Sequence, residues 1–146
     1  MPKTRRPLQK RNTRKRRSSS QSFEQEVTLV FMETLVMVKL FHWKTHSFAT
    51  HKATDELYSS LNEHFDDFIE VLLGKTGDRI NLTRHKSIPL IDLDSQDKLK
   101  SKMESFINYL ASFSNNKTIM NNTDLLNIRD EILGDVNKFL YLLTFK

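Results

Sequence analysis

The sequence predicts an all-α fold: four helices packed as a bundle, with one long crossover between the second and third, behind a basic N-terminal arm. Three observations carry this prediction. Apolar residues recur at helical spacing in four separate segments. Punctuation between the segments is sparse, since 146 residues hold only three glycines and three prolines. The first 17 residues are charged as no core segment can be. No β alternation and no internal repeat interrupts the pattern.

The chain divides into residues 1–22, the arm, and residues 23–146, the bundle. The arm carries Lys3, Arg5, Arg6, Lys10, Arg11, Arg14, Lys15, Arg16 and Arg17, nine cations with no acid among residues 1–17. The whole chain has a formal charge of +5, and without those nine cations 14 basic residues face 18 acidic ones, leaving 14 − 18 = −4. An acidic body thus bears a basic arm. Its sizeable apolar side chains are Met1 and Leu8, too few to offset the entropy of ordering, so the arm is expected to be disordered when free. Neutralising phosphates releases condensed counterions, so it is expected to bind DNA or other nucleic acid without reading bases, and to weaken with salt. Two other readings stay open: a nuclear address or tail against an acidic surface, and an organelle transit peptide, though the apolar stripe of a transit helix is missing. No apolar stretch follows the charges as a secretory signal would require. The absence of cysteine excludes disulfides and thiolate metal sites and permits a reducing compartment. The expected location is intracellular, in cytoplasm, nucleus or nucleoid, or associated with a virion.

After the serine-rich hinge Ser18 to Ser22, Phe23, Val27, Val30, Phe31, Leu35, Val38 and Phe41 predict a first helix from about Ser22 to His46. Between Leu29 and Phe41 only Glu33 and Lys39 are charged. Such a helix is covered on nearly all sides, by its own bundle or by neighbouring subunits. Its apolar run is too short and too interrupted for a membrane span, so no membrane partner is expected. Ser47 or Thr50 can cap a second helix, with Thr54, Leu57, Tyr58, Leu61, Phe65, Phe68 and Leu72 on one stripe and Gly74 marking its end. Residues 75–94 form the crossover, with room for a short helix around Ile88, Leu90, Ile91 and Leu93. Asp94 or Ser95 caps a third helix through Leu99, Met103, Phe106, Ile107 and Leu110, ended by the Asn-rich stretch Ser114 to Asn122. Thr123 opens a fourth through Leu125, Ile128, Ile132, Leu133, Val136, Phe139, Leu140 and Leu143. One long crossover after the second helix is the ferritin-like arrangement of a bundle.

A set of ionisable residues follows these helices: His42, His51, Asp55, Asp66 and Glu70. At roughly 100° per residue, the last four fall within about 100° of one another, bordering the core face of the second helix. Imidazole with carboxylate suits iron, zinc or manganese. His51 and Asp55 are one turn apart, as are Asp66 and Glu70, so each pair can converge on one ion, and two pairs meeting across a dimer interface would complete a shell. The competing reading is a solvated polar stripe with incidental histidines. Glu-x-x-His pairs, which build a di-iron centre inside a single bundle, are absent. His46 can substitute for His42 but reads as an exposed helix-end residue; His64 and His85 have no evident partners. Glu33 should meet a cation or hydrogen bond at an interface, and Trp43 reads as packing.

The stretch from His42-Trp43 through His51-Lys52-Ala53 to Tyr58 resembles the same region of Dps proteins, the DNA-binding mini-ferritins, and more closely a Dps-like family of phages and large DNA viruses. The ending Arg129-Asp130-Glu131-Ile132 through Leu140-Tyr141-Leu142-Leu143 resembles that family too, so the likeness spans roughly residues 23–146. It implies iron held between two subunits by His42, His51 and Asp55 of one and Asp66 and Glu70 of the other. His42 and His51 stand about three residues closer than in Dps proteins, which implies a tighter turn. The resemblance further implies ferroxidase chemistry with peroxide as oxidant, a Trp43 able to scavenge radicals, and a homo-oligomer, at least a dimer and in the family's pattern a dodecamer. Two alternatives accompany it. One is a non-catalytic nucleic-acid-packaging or virion-associated scaffold without cofactor; the other is a zinc ion joining two subunits.

Overall fold

In the computed structural model, residues 21–145 are described. They form four α-helices, α1 (Phe23–Lys44), α2 (Phe48–Thr76), α3 (Gln96–Ala111) and α4 (Thr123–Leu142), with a short 3-10 turn at Ser112–Asn115. There is no strand among the described residues, and no helix among them is long and apolar enough to cross a membrane. The arm cations Lys3 to Arg17 lie outside the described residues.

Local chemistry sets the helix boundaries. The Ser22 hydroxyl accepts the Gln25 N–H at 3.2 Å while Gln25 Oε1 accepts the Ser22 N–H at 3.1 Å, a reciprocal cap that satisfies two otherwise orphaned donors. The Gln25 side chain also donates to the Asn81 carbonyl at 2.8 Å, fastening the crossover to the start of α1. α1 stops at Lys44, short of the predicted His46, because Thr45 turns extended. Of the two predicted caps Ser47 opens α2, accepting the Thr50 N–H. The predicted end at Gly74 is passed. α2 continues to Thr76 and closes at Gly77, whose φ of +73° lets its N–H reach the Leu73 carbonyl at 2.8 Å. That left-handed closure needs a residue without Cβ, whereas Gly74 is merely tolerated inside a helix.

The crossover from Gly77 to Asp94 contains a turn but no helix. Ser95 caps α3 through the Lys98 N–H at 3.3 Å. The Asn-rich stretch does not end α3 as a plain loop: the 3-10 turn prolongs it and returns Phe113 to the core at 1 % exposure.

α2 packs on both α1 and α4, and α3 packs on α4. Phe31 of α1 stacks on Phe65 of α2 with centroids 3.9 Å apart, and Phe106 of α3 meets both rings edge-on. Gln96 joins the start of α3 to the Leu143 carbonyl and, through Thr50, to the start of α2. This end of the molecule also holds the α1–α2 turn. At the other end, where the arm departs, Phe23 meets Phe113 edge-on and Lys75 of α2 pairs with Asp124 of α4 at 2.8 Å. The Lys75 ammonium holds the Asp124 carboxyl below the usual carboxylate range. The stabilisation from that pair is therefore present above the ordinary range and is lost as pH falls through the lowered value.

Arg129, buried on α4, closes the carboxyl end of α3. Its Nη1 donates to the Leu110 carbonyl at 3.0 Å and the Ser114 hydroxyl at 3.1 Å, and its Nε to Asp130 at 2.6 Å. Arg129→Met keeps the stem but takes the charged donor from the Leu110 carbonyl, which keeps the shared Ser112 N–H. A loss of about 2 kcal/mol in urea unfolding is expected, the scale of hydrogen bonds to a charged donor; an unchanged midpoint would remove Arg129 from the fold's supports.

Candidate metal centre

The three-residue turn Thr45–Ser47 folds α2 back onto α1, so the last turn of one and the first turn of the other face each other. His42 is buried there at 8 % exposure, and His51 is half-buried. His42 Nδ1 lies 3.0 Å from the His51 carbonyl, and His51 Nδ1 lies 3.0 Å from the His42 carbonyl. The rings stack with centroids 3.9 Å apart and planes 22° off parallel. The fully buried Thr54 hydroxyl sits 3.2 Å from His42 Nδ1 and donates toward the carbonyls of Thr50 and His51, at 2.8 and 3.0 Å.

Chemistry follows from the acceptors. A carbonyl oxygen can only accept, so both Nδ1 atoms must carry protons, and each neutral imidazole keeps its lone pair on Nε2. Metal-bound histidines show this same second contact, the distal N–H donating to a carbonyl. Asp55, one turn beyond His51 and exposed, places Oδ1 3.9 Å from His42 Nε2. Nitrogen-resolved NMR of the intact protein at neutral pH is expected to find the Nδ1–H tautomer at both His42 and His51. An Nε2–H tautomer at either would break this geometry.

Asp66 and Glu70 lie elsewhere. Both are exposed on α2, and the eleven residues from Asp55 to Asp66 span roughly 16 Å of helix. Among the described residues of one chain, no three His, Asp or Glu side chains are gathered in a way that could hold a metal. Two of the five predicted ligands, His42 and His51, are in direct contact, with Asp55 beside them; Asp66 and Glu70 stay apart.

Asp66 helps line a groove of about 330 Å³ between α1 and α2, with Met32, Leu35, Phe65 and Ile69. A second depression of about 180 Å³ follows along the same two helices, lined by Leu35, Val36, Leu40, Trp43 and Tyr58. Lys39 extends its ammonium over the Tyr58 ring at 4.7 Å. Trp43, which the sequence places in packing, is 69 % exposed within the single chain, with the Lys39 ammonium 5.8 Å from its ring. Glu33 is half-buried and makes no ion pair among the described residues.

His64 corrects the sequence reading. It does have partners: Nδ1 meets Asp135 at 2.7 Å and Nε2 lies 3.5 Å from Glu131, two carboxylates one turn apart on α4. The carboxylates take opposite ring nitrogens, which makes a clasp between α2 and α4. The available signal was the Glu131/Asp135 pair facing a histidine at the core's border. Helical spacing marks Thr54 only as a core position, and nothing local marks its hydroxyl as the histidines' neighbour. His46 and His85 are exposed, as expected for the first.

Helices and site together define an all-α protein with an imidazole–carboxylate cluster at the joint of its first two helices. The chain belongs to DUF5856, a family of unknown function, whose model matches residues 42–143, from His42 itself to the end of α4. No curated protein and no solved structure matches the chain.

Proposed function

We propose that this is a Dps-like mini-ferritin on a ferritin-like four-helix bundle. Its subunits pair so that His42, His51 and Asp55 of one and Asp66 and Glu70 of the other bind Fe(II) as substrate, and the basic arm holds the assembly on nucleic acid. The observation that carries the reading is the histidine pair, with both Nδ1 atoms committed to carbonyls and both Nε2 lone pairs left for a cation beside Asp55.

Helix arithmetic supports the pairing. The midpoint between His51 and Glu70 and the midpoint between Asp55 and Asp66 both fall between Ser60 and Leu61. A two-fold axis there, relating antiparallel copies of α2, sets each histidine-bearing half opposite an acidic half. The apolar strip of α1, Met32 exposed with Leu35 and Val36 half-buried, lies at that level: Phe31 stacks on Phe65 below it and His42 on His51 above it. Met32, Leu35 and Val36 therefore flank the axis and supply surface for a second copy to cover. In such an interface the half-buried Glu33 gains the partner it lacks among the described residues.

In this reading two Fe(II) ions give one electron each to a hydrogen peroxide, which takes up two protons and leaves as two waters. Imidazole and carboxylate donors suit both oxidation states of iron, and consuming Fe(II) together with peroxide removes the reagents of radical damage from the bound nucleic acid. A larger shell, of up to twelve subunits, is part of the family resemblance.

The reciprocal histidine contacts also favour a second reading, in which they only staple the turn and the bundle is a nucleic-acid-packaging scaffold. Anaerobic Fe(II) titration followed by peroxide separates the two. Saturable binding and peroxide consumption are expected. Nucleic-acid binding without iron uptake would leave the scaffold, and subunit dissociation on chelation without turnover would indicate structural zinc.

A further inference from the structure

We infer that the crossover loop at the root of the arm is a second, folded part of the nucleic-acid interface, a phosphate-binding surface formed by Arg84 and Lys86 with the side-chain amides around them. It rests on the nucleic-acid half of the reading above, and extends it from the arm to the body of the protein.

The loop is built to present these groups. Gln25 pins the Asn81 carbonyl to the start of α1 at 2.8 Å. Both the N–H and the hydroxyl of Thr83 donate to Asn81 Oδ1, at 3.1 and 2.8 Å, so the Asn81 amide keeps its own N–H donors. The His85 N–H closes a turn on the Leu82 carbonyl at 2.8 Å, carrying Thr83 and Arg84 at its tip. Gln21, Gln25, Asn81, Thr83, Arg84 and His85 line an open polar groove of about 500 Å³. Arg79, Arg84, His85 and Lys86 are all exposed, and from Gly77 to Ser87 the single acid is Asp78. Of the two acids at the start of α1, Glu24 is half-buried, whereas Glu26 is exposed and stands close to Tyr109, whose phenol is pushed up by burial first and by that carboxylate second.

Reach decides the partner. Gln21 lines the groove, and Arg17, the last cation of the arm, is four residues before it. At no more than about 3.6 Å per residue, a four-residue spacer reaches at most roughly 14 Å. A duplex advances about 3.4 Å per nucleotide along each strand, so one strand meets loop and arm within about four nucleotides. Two cationic elements on one tether then bind one polyanion with the second contact made intramolecularly. The loop holds no helix or strand that could enter a groove, so its cations are placed for the phosphate backbone.

The test uses the full chain and a short mixed-sequence DNA duplex, with affinity measured across a salt series. The double variant Arg84→Glu, Lys86→Glu is expected to bind about tenfold more weakly and to flatten the slope of log K against log salt by about 2, near 0.9 per lost phosphate contact. The neutral pair Arg84→Gln, Lys86→Gln should flatten it equally with a smaller loss of affinity. The reversal Lys98→Glu, Lys138→Glu matches the net charge on α3 and α4 and should leave the slope unchanged; thermal melting confirms that each variant is folded. A slope unaltered in the Arg84/Lys86 variants, or equally flattened by the Lys98/Lys138 reversal, overturns the inference while leaving arm binding intact. If the parent fails to bind the duplex, or the same residues prove to be needed only for anionic phospholipid vesicles, the inference fails; the first outcome also removes the nucleic-acid reading itself.

Discussion

His51→Ala and Asp66→Ala are each expected to lower peroxide-dependent Fe(II) oxidation by about a hundredfold or more, since even outer-shell partners of metal ligands cost 10–100-fold. The two side chains sit on different turns of one helix, too far apart in a single chain to touch the same ion. Co-assembly of the two inactive variants therefore has an unusual expected result. Half of randomly formed dimers are mixed, and each mixed dimer has one site with both changes and one with neither, so activity should return to about one quarter of the parent's. Recovery cannot arise if each site belongs to a single chain. Co-assembled variants that stay as inactive as either alone would sink the shared site. Full activity in both single variants would place the chemistry elsewhere.

Deleting residues 1–17 is expected to abolish nucleic-acid binding at about 0.15 M salt. Nine cations leave with the segment, the remainder carries a formal −4, and its overall field repels a polyanion. Each arm cation that neutralises a phosphate steepens the salt slope by about 0.9, so the deletion should flatten it by several units, well beyond the loss expected from the crossover pair. A filter-binding or anisotropy salt series on the parent and the shortened chain reads this directly. Binding retained at the parent's slope would mean the arm has another role, as an address or a contact with an acidic surface. The deleted residues precede the Ser22 cap, so helix content and melting should not change; a large fall in either would point to a structural part for the segment instead.

Much of the fold was legible in the chain because helix signals are local. Ser22, Ser47 and Ser95 act within three residues of themselves, and the apolar spacing of Leu57, Leu61, Phe65, Phe68 and Leu72 needs only the 3.6-residue period to be read. Sequence and structure part where two local solutions compete. Gly74 and Gly77 both offer an end to α2, and the choice depends on which of them takes a positive φ. The Asn-rich stretch offers a loop, but burying Phe113 makes one more turn of helix worthwhile before it.

The candidate site divides along the same line. Sequence alone determined that the protein is helical, that a basic segment precedes an acidic body, and that two imidazoles and three carboxylates recur at turn-length intervals around the first two helices. Only the tertiary structure decided which of them meet: the three-residue turn lays His42 against His51, lends each ring the other's carbonyl, and brings Asp55 to 3.9 Å while holding Asp66 and Glu70 apart. It also decided that His64 is clasped by Asp135 and Glu131 and that Arg129 closes α3. The reason is physical. Caps and periodicity are written in neighbours along the chain, whereas a tautomer, an ion pair or a shared carbonyl is set by groups that only packing brings within three to four ångströms.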